Sequence, residues 1–250
     1  MKNNYLRTGY ALVLAFATLS AQAGIIASAT RVIFNEGDTE KTLMLLNANS
    51  YPIVAQTWVD KGDVNVAPEL SRAPFVPLPS VFSLQPSSLQ GLRIVFTGTT
   101  LPEDRESVFW LNLYEIPPSQ PNTPPLTTRV TLAMNTQMKI FYRPKVLKGK
   151  EEQAAENIAF SLKKTPGGIL LSCINHSPFY LSFAGLLLKS GHRQYPIRIE
   201  NDMMTAPFSI RDYHLNEIPT PKISLPLSVE VSFINDQGQQ VVRTYLVTES

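Results

Sequence analysis

Phe109-Trp-Leu-Asn-Leu-Tyr-Glu-Ile-Pro117 is a short aromatic and aliphatic run closed by a proline, the composition of a β-strand with a stop after it. The same style recurs along the chain. Leu43, Leu45 and Asn47 alternate with Met44 and Leu46; residues 53–59 are β-branched and aromatic around Trp58; residues 92–96 read as another short strand. Pro68, Pro74, Pro77, Pro79, Pro86 and Pro102 punctuate these runs, and residues 117–125 are proline-rich. In the second half, residues 169–174, 180–188 and 197–200 read as strands, and 229–247 as a hairpin around Asn235-Asp236-Gln237-Gly238. Residues 151–157 are the one stretch expected to form a short helix. Many short strands separated by Pro and Gly indicate an all-β sandwich. An immunoglobulin-like sandwich takes about 100 residues. Two therefore fit, over 24–143 and 148–250, with 144–147 as linker and no sequence repeat between them.

The 250 residues carry 22 Lys plus Arg against 20 Asp plus Glu, with 17% charged and 44% apolar residues, which suits a folded chain with a sizeable core. At the N-terminus Lys2 and Arg7 precede the apolar run 10–19 and the small-residue stretch Ser20-Ala-Gln-Ala23. That order describes a secretory signal peptide, residues 1–23, cleaved after Ala23. Ten apolar residues are half of the roughly 20 a spanning helix needs, so insertion in the membrane is not expected. Cleavage removes two cations and no anion, leaving a balanced chain without the footprint of a nucleic-acid binder. The single Cys excludes a disulfide framework within the chain.

Signals for catalysis are weak, and no enzyme activity or cofactor is expected. The G-x-S-x-G elbow, the H-E-x-x-H helix and the phosphate loop are all missing. His176, His192 and His214 are too far apart for the close spacing of a metal site. Glu103, Asp104 and Glu106 resemble paired carboxylates, but Arg105 stands among them and loop charges are usually solvated. Cys173 lies in an apolar strand, where a buried inert thiol is expected.

Residues 129–144 carry more information. Side chains alternate along a strand, so Val130, Leu132 and Met134 share one face while Arg129, Thr131 and Ala133 share the other. Such a row either covers the domain's own core or is offered at an edge to another chain.

Several stretches resemble the periplasmic pilus-assembly chaperones of the chaperone-usher pathway. The most specific is the 17-residue run Leu101-Pro-Glu-Asp-Arg-Glu-Ser-Val-Phe-Trp-Leu-Asn-Leu-Tyr-Glu-Ile-Pro117. Ala29-Thr-Arg-Val-Ile-Phe34 resembles the family's first strand, Gln56-Thr-Trp-Val59 its tryptophan strand, and Lys139-Ile-Phe-Tyr-Arg-Pro144 the end of its interactive strand. Asn175-His-Ser-Pro-Phe-Tyr-Leu181 and Ile234-Asn-Asp-Gln-Gly238 are similar to family segments in the second half. The loop 117–128 and the absence of a Cys pair resemble the branch with the shorter loop before that strand.

The resemblance implies two immunoglobulin-like domains set in an L, with a cleft that receives the C-terminus of a pilus subunit. By position, Arg31 and Lys139 would anchor that carboxylate, chemistry that suits a guanidinium fork and an ammonium. Val130, Leu132 and Met134 would be the donated row that completes an unfinished subunit sandwich. Glu106, Arg143 and Asp236 match an interdomain ion-pair network. The implied partners are pilus subunits and an outer-membrane usher, the implied location the periplasm. Competing readings are a pilus subunit or adhesin, a secreted carbohydrate-binding module and a secreted hydrolase. The first would want a Cys pair and an apolar alternating C-terminus; the second, exposed aromatics where Trp58 and Trp110 are expected to be buried; the third, a nucleophile with its base.

Overall fold

The computed structural model describes residues 24–63, 67–118, 132–165, 168–215 and 226–249. Among the described residues, nine strands form the first unit: β1 (Ile25–Ala27), β2 (Arg31–Asn35), β3 (Glu40–Asn47), β4 (Ile53–Asp60), β5 (Phe75–Leu78), β6 (Val81–Leu84), β7 (Leu89–Phe96), β8 (Ser107–Ile116) and β9 (Met134–Arg143). They make two sheets, ordered β1-β3-β7-β5 and β2-β9-β8-β4-β6. The run from Phe109 to Ile116 lies in β8, and its alternation decides which side chains go inside. Phe109, Leu111 and Leu113 are buried between the sheets with Phe34, Leu45, Leu92, Ile94 and Ile140. Phe75 packs at 4.8 Å from Phe34 and 5.2 Å from Phe109, joining the layers.

Period-two alternation also corrects one expectation. Trp58 and Trp110 are partly exposed and face outward, because Ala55, Val59, Phe109 and Leu111 take the inward positions around them. Trp58 Nε1 donates to Asp60 (3.2 Å), and Gly62 backs closely onto the Trp110 ring. Each indole is thus held against its own domain.

The second unit contains β10 (Ile158–Thr165), β11 (Gly168–Asn175), β12 (Leu181–Ser190), β13 (Arg193–Pro196), β14 (Met204–Thr205), β15 (Ser209–His214), β16 (Leu227–Ile234) and β17 (Gln240–Glu249). Its order is β13-β12-β16-β17-β10-β11-β15, with β14 beside β12. β17 links the two layers: residues 240–246 pair antiparallel with β16, and residues 247–249 pair parallel with β10. The core holds Phe160, Leu171, Leu188, Tyr213, Val229 and Val231, and Leu147 packs into it. The protein is therefore two β-sandwiches.

The expected helix at 151–157 is a 3₁₀ turn, Glu151–Glu156. The expected strand at 197–200 does not form. Ile197 still donates to Leu186 of β12, but Arg198 donates to His214 of β15, so the hydrogen bonding passes to another strand. Ile197 keeps a single bridge, to Leu215.

Each domain contains a turn built around a buried asparagine. Asn47 accepts from the Asn49 amide (3.0 Å) and donates to the Tyr51 carbonyl (3.0 Å). Asn175 accepts from the Ser177 amide (2.9 Å) and donates to the Phe179 carbonyl (2.8 Å). The same i to i+2 and i to i+4 bonds occur in both domains, although the sequences do not repeat.

Candidate functional site

The sheet edge and the interdomain junction meet on β9. β2 runs parallel to β9, but its register begins at Arg31↔Lys139 and ends at Asn35↔Arg143. Residues 134–138 pair with β8 on one side and, among the described residues, with no strand on the other. The cause is upstream. Residues 25–27 pair with β3 in the opposite sheet, so the chain crosses between layers at 28–30 before it can extend along β9. The Ser28 amide donates to the Met44 carbonyl (2.9 Å), and the Ser28 hydroxyl accepts from the Met44 amide (3.1 Å).

Met138 and Ile140 enter the first core. The same alternating row continues out of the core as Met134, 50% exposed, and Leu132, 79% exposed, just before the strand. Val130, the third member of the expected row, lies outside the described residues. The opposite face of this half-strand is polar. Asn135 and Gln137 each donate to Asn112 Oδ1 (2.9 Å), while Asn112 Nδ2 donates to Asp60 (2.6 Å). Asp60 also accepts from the Gly62 amide (2.7 Å). This ladder across β4, β8 and β9 has no signature in the sequence, because its members are far apart in the chain.

Arg31 and Lys139 are register partners, so their side chains leave the same face of the sheet at the junction with the second domain. Both are tied across it. Arg31 donates to the Ile234 carbonyl (3.0 Å), lies 5.8 Å from the centroid of the Phe141 ring and has a buried Nε without a hydrogen-bond partner among the described residues. Lys139 Nζ reaches Asp202 Oδ1 (3.3 Å). Burial lowers the pKa of Lys139, with Asp202 acting against it and the Arg31 and Arg211 charges acting with it. Burial likewise lowers Arg31, opposed by Asp236 and Glu106. From the sequence alone these two cations have no assigned counter-charge. The structure supplies carboxylates from both domains, and no sequence signal pointed to Asp202.

Arg143 joins Glu106 and Asp236. Its Nε donates to Glu106 Oε1 (2.8 Å), and its terminal nitrogens form a fork to Asp236 at 2.7 and 3.1 Å. The second Glu106 oxygen accepts from the Tyr180 amide (2.9 Å). Burial pushes Glu106 above the ordinary carboxylate range, against the pull of Arg143. For Arg143 burial acts downward, but its bonds to Asp236 and Glu106 outweigh it and raise the guanidinium. Asp236 sits in the β16–β17 turn, whose Gly238 has φ +77 and touches Thr30 of the first domain. A side chain at Gly238 would collide with Thr30.

The other polar residues noted in the sequence do not converge. Asp104 pairs with its neighbour Arg105 at the surface (2.7 Å). Glu200 contacts His214 (3.3 Å), and no cluster of three metal-ligating side chains exists among the described residues. Cys173 is fully buried, and burial pushes its thiol up to about 12. No helix among the described residues is long and apolar enough to cross a membrane.

An N-terminal two-sheet domain with this split edge, clamped to a second sandwich, has relatives. Residues 24–148 match the family described as the pili and flagellar-assembly chaperone, PapD N-terminal domain, and residues 153–245 match the pili assembly chaperone PapD, C-terminal domain. The chain belongs to this chaperone family. It is 37% identical over 199 residues to the chaperone protein HifB of Haemophilus influenzae, covering 78% of each chain. It is 33% identical over 213 residues to the probable fimbrial chaperone YadV of Escherichia coli K12, covering 82% of this chain and 85% of that one. Among solved structures it resembles the YadV chaperone (TM-score 0.73, 30% identity, 90% of this chain and 100% of that one). It also resembles the Salmonella enterica SafA pilin in complex with the SafB chaperone (TM-score 0.69, 30% identity, 89% and 96%). This pilus-assembly chaperone family is not an enzyme class.

Proposed function

We propose that this chain is a periplasmic chaperone that binds, folds and caps pilus subunits by donating the edge of β9, and delivers them to an outer-membrane usher. The observation that carries the reading is the edge of residues 134–138, unpaired among the described residues and ending where Arg31 and Lys139 stand side by side. An extended segment placed on that edge lies in line with β2, and a carboxylate at its end meets both cations. With its C-terminus at Lys139, such a segment runs parallel to β9. Backbone hydrogen bonds supply general affinity, and side chains of the row Val130, Leu132 and Met134 enter the partner's open core and set register. Each apolar side chain so buried contributes about 1.5–3 kcal/mol. A relative of similar fold was solved with a pilin, which supports the class of partner.

The same proposal covers export, with residues 1–23 removed after Ala23, and a division into domains 24–143 and 148–250 joined by 144–147. Within it, Glu106, Arg143 and Asp236 set the angle between the domains and hence the position of the anchor. Lys139→Ala tests the reading through co-purification with subunits expressed from the same operon. Loss of a charge-assisted hydrogen bond, about 1.5–3 kcal/mol, lowers recovery tenfold or more while both domains stay folded. Unchanged recovery in a folded variant overturns the anchor.

A further inference from the structure

Asp202 is the one carboxylate in contact with the Lys139 ammonium among the described residues, and its surroundings suit a group that comes and goes. The contact is long for a charge-assisted bond, 3.3 Å against about 2.7–2.9 Å. Asp202 is 43% exposed, whereas Lys139 is 24% exposed. Its other oxygen lies 3.3 Å from Arg211, which belongs to its own domain. Arg211 is in turn fixed by Glu200 (2.9 Å) and by the Met204 carbonyl (2.6 Å). On leaving Lys139, Asp202 therefore keeps a cationic partner and is exposed enough to rehydrate.

Resting on the anchor reading above, we infer that Asp202 is a tethered stand-in for the incoming terminal carboxylate, which holds Lys139 in the free chaperone and is displaced when a subunit binds. A carboxylate on the same chain competes at a high effective concentration. Small free acids in solution therefore compete poorly for Lys139. A subunit terminus prevails because it is also held along the β9 edge and can engage Arg31. Asp202 thus raises the threshold for anion binding and favours chain ends over lone carboxylates. Because Asp202 belongs to the second domain, its release also breaks one tie between the domains.

The test uses the full mature protein and a synthetic peptide of alternating Val and Thr, made with a free C-terminal carboxylate or a C-terminal amide. Asp202→Asn keeps the shape of the side chain and removes its charge. The free-acid peptide should bind this variant about 2–5-fold more tightly than wild type, the range of a half-exposed ion pair. The amide peptide should bind both equally. In a Lys139→Met background, Asp202→Asn should change nothing, a result that a purely structural role for Asp202 does not produce. Equal or weaker binding of the free acid by Asp202→Asn overturns the inference, as does a gain that persists without Lys139. A wild-type protein that fails to prefer the free acid over the amide overturns the anchor reading itself. A wild type that does prefer it, with no gain in Asp202→Asn, overturns only the role of Asp202.

Discussion

Replacing Arg143 by Met removes the guanidinium that joins the domains and leaves an apolar stem of similar length in its place. Arg143 and Glu106 side chains are 5% and 2% exposed, and Asp236 is 25% exposed. The variant loses the bonds of 2.7–3.1 Å to Glu106 and Asp236 and the packing of the guanidinium over Phe179 at 5.3 Å. Water can reach Asp236, but among the described residues the Glu106 carboxylate keeps only the Tyr180 amide as a hydrogen-bond donor. Removing one member of a buried ion pair costs about 3–5 kcal/mol. Because Asp236 can be rehydrated, the lower end, about 3 kcal/mol, is expected here. With a urea slope of about 2 kcal/mol/M, the midpoint falls by about 1.5 M.

Two intrinsic probes separate the domains in that assay. Both tryptophans, Trp58 and Trp110, lie in the first sandwich, while the single Cys, Cys173, lies in the second. Tryptophan fluorescence and Cys173 labelling should follow one transition in wild type and two in Arg143→Met. The loss also depends on pH. Burial already raises Glu106, and without Arg143 that effect is less opposed. An acid raised in the folded state destabilises the fold most above its folded pKa and not at all below its unfolded pKa. The deficit of Arg143→Met should therefore be largest near neutral pH and shrink toward about pH 4. A midpoint shift under about 0.5 M, with both probes still coincident, would refute a buried clamp between the domains.

Cys173, with its thiol pushed up to about 12, should resist thiol reagents at about pH 8 until the second domain unfolds; rapid native labelling contradicts its burial. Asn112→Ala should remove the common acceptor of Asn135 and Gln137, cost about 1–3 kcal/mol, and speed amide exchange at residues 134–138 more than in the rest of β9. Uniform exchange across β9 contradicts that role. Asn175→Ala should take the amide donor from the buried Phe179 carbonyl and the partly buried Ala206 carbonyl and lower the stability of the second domain by about 1–3 kcal/mol, measured by Cys173 protection.

Much of the fold was legible because strand alternation is local. In β8, Phe109, Leu111 and Leu113 carry a period-two signal that needs no tertiary information, and the turn at 235–238 is likewise written in its own residues. Local signals fail where two outcomes share one pattern. Residues 197–200 have strand composition, but the backbone bonds pass from β12 to β15 there, a choice made by neighbours. Trp58 and Trp110 look like core residues by type, yet their smaller neighbours occupy the inward positions.

By itself the sequence determined an all-β chain and, through family resemblance, pointed to Arg31, Lys139, Glu106, Arg143 and Asp236. Tertiary structure decided how these residues are connected. Arg31 and Lys139 are 108 positions apart in the chain and become neighbours only through the parallel register of β2 and β9. The open edge of residues 134–138 exists because the chain at 28–30 changes sheets, an event with no signature in the composition of β9. Asp202 reaches Lys139 only because two domains meet. Charge pairing depends on distance in space, which a single chain does not encode locally.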